Sequence, residues 1–216
     1  MNDPVISVVN ESSSISNEDF FSAVAACQRQ VTEHLGPIWK TDARLCITPR
    51  GVAPLPDSWV VTIVEESPKK GARGFHEDNV LPSAIVAVQK SISEGYLWTR
   101  TLSHEIVEMV VNPWCALTYR IGGYVYALEI ADPVAGNCYD INGVAVSNFV
   151  TESWYDLDDE GPWDYMKVLG GPLEFGPGGY CSTAKVTEWR QEGSSFSEQE
   201  LIPTPWSRRN RYIMGM

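Results

Sequence analysis

The stretch TLSHEIVEMVVNPW, residues 101–114, places three ionisable side chains in a strongly apolar setting. His104, Glu105 and Glu108 stand there among isoleucine, valine and methionine residues. A helix with such flanks is largely buried, and a buried carboxylate requires a cation or hydrogen bonds around it. We therefore favour a metal site over the alternative interpretation, in which the three side chains lie on a solvated helix face.

The same stretch is predicted to form most of a helix. Apolar residues recur at helical spacing from Leu97 to Val110, which predicts a helix over residues 94–111. Its start matches a capping box, because Ser91 and Glu94 stand three residues apart. Its end is indicated by the Asn112-Pro113 pair, since the residue before a proline disfavours helical geometry.

Helical geometry assigns different roles to the three side chains. Residues four apart share one face of a helix, so His104 and Glu108 can converge on one cation. Glu105 is displaced from them by about 100 degrees, because a helix has 3.6 residues per turn. The pattern differs by one residue from H-E-x-x-H, in which the glutamate does not bind the metal but takes a proton from its water. The sequence therefore predicts two metal ligands, His104 and Glu108, and a general base, Glu105.

A third ligand is expected from another element, because tetrahedral catalytic zinc takes three protein ligands and a water. The next carboxylates are Glu129 and Asp132, and Glu129 follows Glu108 by 21 residues. In gluzincin metallopeptidases a second helix returns a glutamate ligand at about this distance, and a nearby aspartate supports the first histidine. We favour Glu129 as the ligand and Asp132 as the supporting residue. The reverse assignment stays open, because an Asp-Pro pair can mark a helix end that points into the site.

The predicted ligand set decides which metals the site would accept. One histidine and two carboxylates form a harder and more anionic set than two histidines and one glutamate, and with Zn²⁺ the net charge would be zero. Such a set makes the metal a weaker Lewis acid. We expect zinc, with manganese, iron or calcium as alternatives.

The stretch SHEIVEM resembles the active-site helix of zincin-like metallopeptidases. A wider pattern over about residues 20–190 is similar to an uncharacterised zincin-like family of bacterial and bacteriophage genomes. This pattern consists of QRQVTEHLGPIW, GFHEDN, SHEIVEMVVNPW, ALEIADPV and GVAVSNFVTESWY. The resemblance implies an α+β, zincin-like fold, in which a small, mostly antiparallel sheet packs against the helix bearing His104. It implies a site but no substrate.

Polarity divides the chain into three parts. Residues 1–17 are polar and serine-rich, which predicts a flexible N-terminal arm, with a first short strand as the alternative. Residues 18–190 are expected to form the zincin-like domain. Residues 191–216 are polar again and predict a flexible C-terminal tail.

Local patterns predict the elements of the domain. Ser16 is the expected N-cap of a helix that Gly36-Pro37 would stop. Asn142-Gly143 predicts the turn of a hairpin. ARLCITP and SWVVTIVEE, with proline and glycine between them, predict strands, and PSAIVAVQK is another short strand candidate.

Other residues near the motif are weaker candidates for the site. His76 is predicted to lie in a surface loop. Alternatively, it lies near the cleft, because the segment that follows it would be the edge strand that holds an extended peptide. A tyrosine can stabilise an oxyanion, and three tyrosines follow the site in sequence: Tyr139, Tyr155 and Tyr165.

Charge and composition limit the partners of this protein. The 216 residues carry a net charge of −12, which repels phosphate backbones and argues against nucleic acid as a partner. The chain has no apolar run long enough to span a bilayer and no secretory signal pattern. Its five cysteines are scattered, as expected of reduced thiols in a cytoplasm-like compartment.

Three hypotheses about function follow. The leading one is a metal-dependent peptidase with a protein or peptide substrate. The alternative is a non-catalytic structural or assembly protein, cytoplasmic or associated with a phage virion, whose acidic aromatic loop at residues 152–165 would contact assembly partners. The weakest is an acidic inhibitor or nucleic-acid mimic, which only the charge suggests.

Overall fold

The computed structural model describes residues 3–77 and 79–185. In these ranges the strands are β1 (Val5–Asn10), β2 (Arg44–Thr48), β3 (Trp59–Val64), β4 (Gly74–Glu77), β5 (Ser83–Ala87), β6 (Thr118–Ile121), β7 (Tyr124–Ala127), β8 (Cys138–Ile141), β9 (Val144–Ser147) and β10 (Thr183–Lys185). The helices are α1 (Asn17–Arg29), α2 (Gly36–Trp39), α3 (Val88–Ser93) and α4 (Trp98–Val111), with a π-helical segment (Gln30–Leu35) and 3-10 turns (Asp132–Val134, Glu152–Tyr155).

The main sheet has five strands in the order β2-β1-β3-β5-β4. The pairings of β1 with β2, β1 with β3 and β3 with β5 are parallel, and only β4 runs antiparallel to its neighbour β5. The α+β class agrees with this mixture, but the prediction of a mostly antiparallel sheet is wrong. The reason is the connection through α1 and α2, which carries the chain back so that β2 runs parallel to β1.

The N-terminal segment contains a central strand of this sheet. Ile6 and Val8 in β1 are completely buried, so the prediction of a flexible arm is wrong for Val5–Asn10 and its alternative, a short strand, is correct. A parallel strand in the middle of a sheet is covered on both faces and therefore carries a near-continuous apolar run. The serine-rich residues that follow β1 make residues 1–17 polar on average, and this average hides the apolar run of the strand.

The first helix begins as predicted and ends later than predicted. Ser16 caps α1, because its hydroxyl accepts the backbone N–H of Asp19 at 3.0 Å. The chain stays helical through the π-helical segment and α2, so Gly36 does not stop it. The helical path ends at Lys40, whose φ of 54° is left-handed.

The second half of the described chain surrounds α4 with small antiparallel units. The hairpin of β8 and β9 is confirmed, and Asn142 and Gly143 take the positive φ values of 53° and 85° that its tight turn requires. Strand β9 packs on α4, where the backbone N–H of Ser147 donates to the hydroxyl of Ser103 at 2.6 Å. Strands β6, β7 and β10 form a second small sheet.

Helix α4 packs against β4 and β5 and contributes to the main core. Leu102, Ile106 and Met109 are completely buried there. Within the described ranges, the helices are too short or too polar to cross a membrane. The predicted tail at residues 191–216 lies outside the described residues.

Candidate metal centre

The motif helix is buried, as its apolar flanks predict. Glu105 and Glu108 are 5% and 3% exposed, which contradicts a solvated helix face. The predicted capping box is wrong, because α4 begins only at Trp98 and the Ser91 hydroxyl donates to the carbonyl of Ala87 within the separate helix α3. The predicted end of the helix at Asn112 is correct.

Glu108 holds the helix to the turn that follows β7. Its Oε1 accepts the backbone N–H groups of Ala131 and Asp132, at 3.1 and 3.2 Å. Its Oε2 points the other way and lies 3.4 Å from Nε2 of His104. One oxygen of this carboxylate therefore supports the fold, and the other is directed towards the histidine.

His104, Glu108 and Asp132 form a compact group, and one ligand atom from each lies within 4.8 Å of the others. Nε2 of His104 is 3.2 Å from Oδ1 of Asp132. The two atoms are within hydrogen-bonding distance, at the long end of the usual range of about 2.7–3.2 Å. Ligand atoms around a tetrahedral zinc lie roughly 3.3–3.8 Å apart, as follows from bonds of about 2.0–2.3 Å. The spacing in this group is thus close to that of a metal's ligand shell.

Glu129, the favoured third ligand, is not a member of this group, although it lines the same small cavity. Its Oε2 is 3.5 Å from Nε2 of His76, and it forms a second group with His76 and Cys115. Glu129 and Asp132 do not share a helix face, because Glu129 follows β7 in an irregular segment and Asp132 begins a 3-10 turn. The structure therefore brings three of the four predicted ligands together, with Asp132 in the place expected for Glu129.

His76 is a site residue that the sequence analysis placed in a surface loop. It lies in β4, its side chain is 4% exposed, and Nδ1 is 3.8 Å from Oε2 of both Glu105 and Glu108. The alternative, a position near the cleft, is correct, although the edge strand is β4 rather than the segment after it. The only sequence indication was the four-residue run GFHE, which is too short and too polar to predict a strand.

The backbone of β4 lies directly against Glu105. A Cβ atom at Gly74 would lie 2.5 Å from Oε1 of Glu105 and 2.7 Å from Cγ2 of Thr101. Only glycine leaves space for this contact. The position of Glu105 is therefore set by the edge strand as well as by its own helix.

The two histidines are surrounded by an excess of negative charge. Burial alone would lower the pKa of His104, but Glu108 and Asp132 raise it well above its usual value. Burial likewise opposes the charged form of His76, and Glu129 contributes most to raising its pKa. Burial and the charge of Glu108 raise the pKa of Asp132. Such a cluster has a high affinity for a positive charge, and a divalent cation would supply it.

Two tyrosines border the cluster. Burial raises the pKa of Tyr155, with a further contribution from Glu129, and its ring stacks on Tyr119 at 4.4 Å between centroids. Burial and the charge of Asp132 also raise the pKa of Tyr180, a residue the sequence analysis did not select. Both phenols are therefore neutral, and the Tyr155 hydroxyl makes no hydrogen bond to the described residues.

The other two tyrosine candidates lie elsewhere. Tyr139 and Tyr165 gather around His34, where the Tyr139 hydroxyl is 2.9 Å from Nδ1 of His34 and the Tyr165 ring stacks on its imidazole. They contribute to packing between the helical region and the β8–β9 hairpin. An oxyanion role at the metal centre is therefore incompatible with their positions.

Two cavities meet at Glu105 and His104. The larger, about 360 Å³, is also lined by Gly74, Arg100 and Tyr180. The smaller, about 90 Å³, lies within the histidine and carboxylate cluster and is also lined by Gly74 and Tyr180. A space suited to a bound molecule therefore adjoins a space suited to an ion and its water.

No family model matches the chain, and neither a curated protein nor a solved structure gives a significant match. The similarity to zincin-like proteins is therefore a prediction from the motifs.

Proposed function

We propose that the protein is a zincin-like, metal-dependent peptidase whose metal is held by His104, Glu108 and Asp132. The supporting observation is the position of Nε2 of His104, which lies 3.4 and 3.2 Å from oxygens of Glu108 and Asp132. Zinc is the first candidate, and the oxygen-rich set also suits manganese, iron or calcium. When bound, the metal would polarise a carbonyl and lower the pKa of a coordinated water.

Glu105 is the proposed general base. It lines both cavities, so its carboxylate lies where a substrate in the larger one meets the centre in the smaller one. It would accept a proton from the attacking water and pass it to the leaving amine. The contact with Gly74 keeps it at this junction.

The elements around the larger cavity support a peptide as substrate. β4 is the edge strand of the sheet and borders this cavity through Gly74. An extended peptide can pair with such an edge by β-augmentation. Tyr180 lines the same cavity, and in the proposed reaction it would donate a hydrogen bond to the developing oxyanion.

The proposal is tested by metal content and hydrolysis together. Protein purified without chelator is analysed by mass spectrometry and assayed on a mixed peptide library, beside Glu105→Gln and His104→Ala. We expect Glu105→Gln to retain the metal and lose about 10²–10⁴-fold in rate, as is typical for removal of a general base. His104→Ala should lose the metal of this centre and the activity.

Two results would contradict this function. Unchanged hydrolysis in Glu105→Gln would show that Glu105 is not the general base. A wild type that takes up no divalent metal would exclude a metal-dependent peptidase. A wild type that binds metal, cleaves no peptide in the library and forms a defined oligomer would instead favour the assembly role, in the cytoplasm or in a virion.

A further inference from the structure

We propose that His76, Cys115 and Glu129 form a second metal site, next to the first, that takes zinc. One ligand atom from each lies within 4.8 Å of the others, and all three residues are buried. His76 and Glu129 approach most closely, with 3.5 Å between Nε2 and Oε2. This distance lies in the range of roughly 3.3–3.8 Å that tetrahedral zinc imposes on its ligand atoms.

The three ligands come from different elements that the fold holds together. His76 lies in β4, Cys115 in the turn after α4, and Glu129 after β7. Asn112 joins the last two, since its side-chain amide donates to the carbonyl of Leu128 at 3.1 Å. Its side-chain oxygen accepts the backbone N–H groups of Ala116 and Leu117, both at 3.0 Å.

Cys115 is held in an uncommon backbone conformation within that turn. Its φ is 50°, a left-handed value that few non-glycine residues adopt, and its N–H donates to the carbonyl of Asn112 at 3.0 Å. Strained residues persist where the surrounding structure determines them, and they cluster at functional sites. The strain places a buried cysteine within reach of His76.

The imidazole of His76 provides an independent indication of a ligand. Its Nε2 is buried and, among the described residues, makes no hydrogen bond. Its other nitrogen, Nδ1, faces the carboxylates of Glu105 and Glu108 at 3.8 Å. A metal-binding histidine commonly directs its second nitrogen at a carboxylate, which orients the ring and selects the tautomer. Nε2 is thereby left for the metal.

The chemistry of this set differs from that of the first centre. Nitrogen, sulfur and carboxylate oxygen are the ligands that zinc combines, and a thiolate disfavours calcium and magnesium. With a neutral imidazole, a thiolate and a carboxylate, Zn²⁺ gives a site of zero net charge. His104, Glu108 and Asp132 lack sulfur, so the two positions should be distinguishable by spectroscopy.

Zinc titration of the full chain separates the two sites. We expect two equivalents in the wild type, one in Cys115→Ser and one in His104→Ala. A loss of one equivalent of zinc in Cys115→Ser supports the proposal, and a zinc content that Cys115→Ser leaves unchanged overturns it. The His104→Ala result tests the first centre alone, so the two proposals can fail separately.

Cobalt replacement gives a test that does not depend on a mutant folding. Co²⁺ bound by a thiolate shows a near-ultraviolet charge-transfer band, which we expect in the wild type and in His104→Ala. The control is Cys181→Ser, because Cys181 is another thiol close to Asp132. Absence of the band in the wild type, or its loss in Cys181→Ser instead of Cys115→Ser, would overturn the assignment.

Discussion

The carboxylate of Glu108 accepts the backbone N–H of Asp132 at 3.2 Å, so two members of the candidate metal centre are linked before any ion binds. The same oxygen accepts the N–H of Ala131, while the second oxygen faces His104. Glu108 thus has a structural role through one atom and a proposed ligand role through the other. Substitutions that separate these roles give the sharpest predictions.

Glu108→Gln and Glu108→Ala should differ in stability and agree in metal loss. Glutamine can still accept both N–H groups through its amide oxygen, whereas its amide nitrogen cannot bind a metal. Alanine leaves two buried N–H groups unsatisfied, at about 1–3 kcal/mol each. Urea unfolding of the metal-free proteins measures the difference, and mass spectrometry measures the metal. A Glu108→Gln variant that binds as much metal as the wild type would exclude Glu108 as a ligand.

Gly74→Ala should impair hydrolysis more than metal binding. The new Cβ would lie 2.5 Å from Oε1 of Glu105, so either β4 or the base must shift. Overpacking of this kind typically costs about 1–3 kcal/mol. Gly171→Ala is the matched control, because a Cβ there meets no atom within 4 Å. Equal activity in the two variants would show that the contact does not position Glu105.

Chelation of the metal should destabilise the wild type. Buried carboxylates near His104 would lose the cation that offsets their charge, and a ligand at 100 times its Kd contributes about 2.7 kcal/mol. Thermal unfolding with and without EDTA measures the effect. In His104→Ala, EDTA should lower the Tm only by the amount that the second metal site contributes. A wild-type Tm that does not respond to EDTA would argue against a metal that binds the native state.

Glu65 should make stability depend on pH in an acidic window. Hydrogen bonds from Ser13, and further ones from Ser12 and Ser14, lower its pKa from 4.5 to about 2. The folded state therefore favours the ionised carboxylate. The stabilisation is complete above pH 4.5 and is lost as the pH falls towards 2.

Glu65→Gln should lose less stability than the wild type between pH 5 and 2. Thermal unfolding across this range measures the slope for each protein. Glu66→Gln is the control, because Glu66 is the exposed neighbour of Glu65. Parallel slopes for the wild type and Glu65→Gln would show that the serine contacts do not stabilise the folded carboxylate.

Features that depend on near neighbours in the chain could be predicted from the sequence. The cap at Ser16, the turn at Asn142 and Gly143, and the helix end at Asn112 each follow from local backbone chemistry. The failure at Ser91 has the same origin, because its hydroxyl has an alternative partner four residues earlier, the carbonyl of Ala87 at the N-terminus of α3. Ser91 could either cap the next helix or bond to Ala87, and its buried side chain makes the bond to Ala87.

The central motif could also be predicted, because helical geometry alone puts His104 and Glu108 on one face and apolar flanks require its burial. Only the tertiary structure decided what completes the centre. The pairing of β4 with β5 brings His76 over Glu105, and the two N–H bonds to Glu108 bring Asp132, rather than Glu129, to His104. The contacts of Glu105 with His76 and of Glu108 with Ala131 and Asp132 join residues more than twenty positions apart, and no periodicity in the chain predicts them.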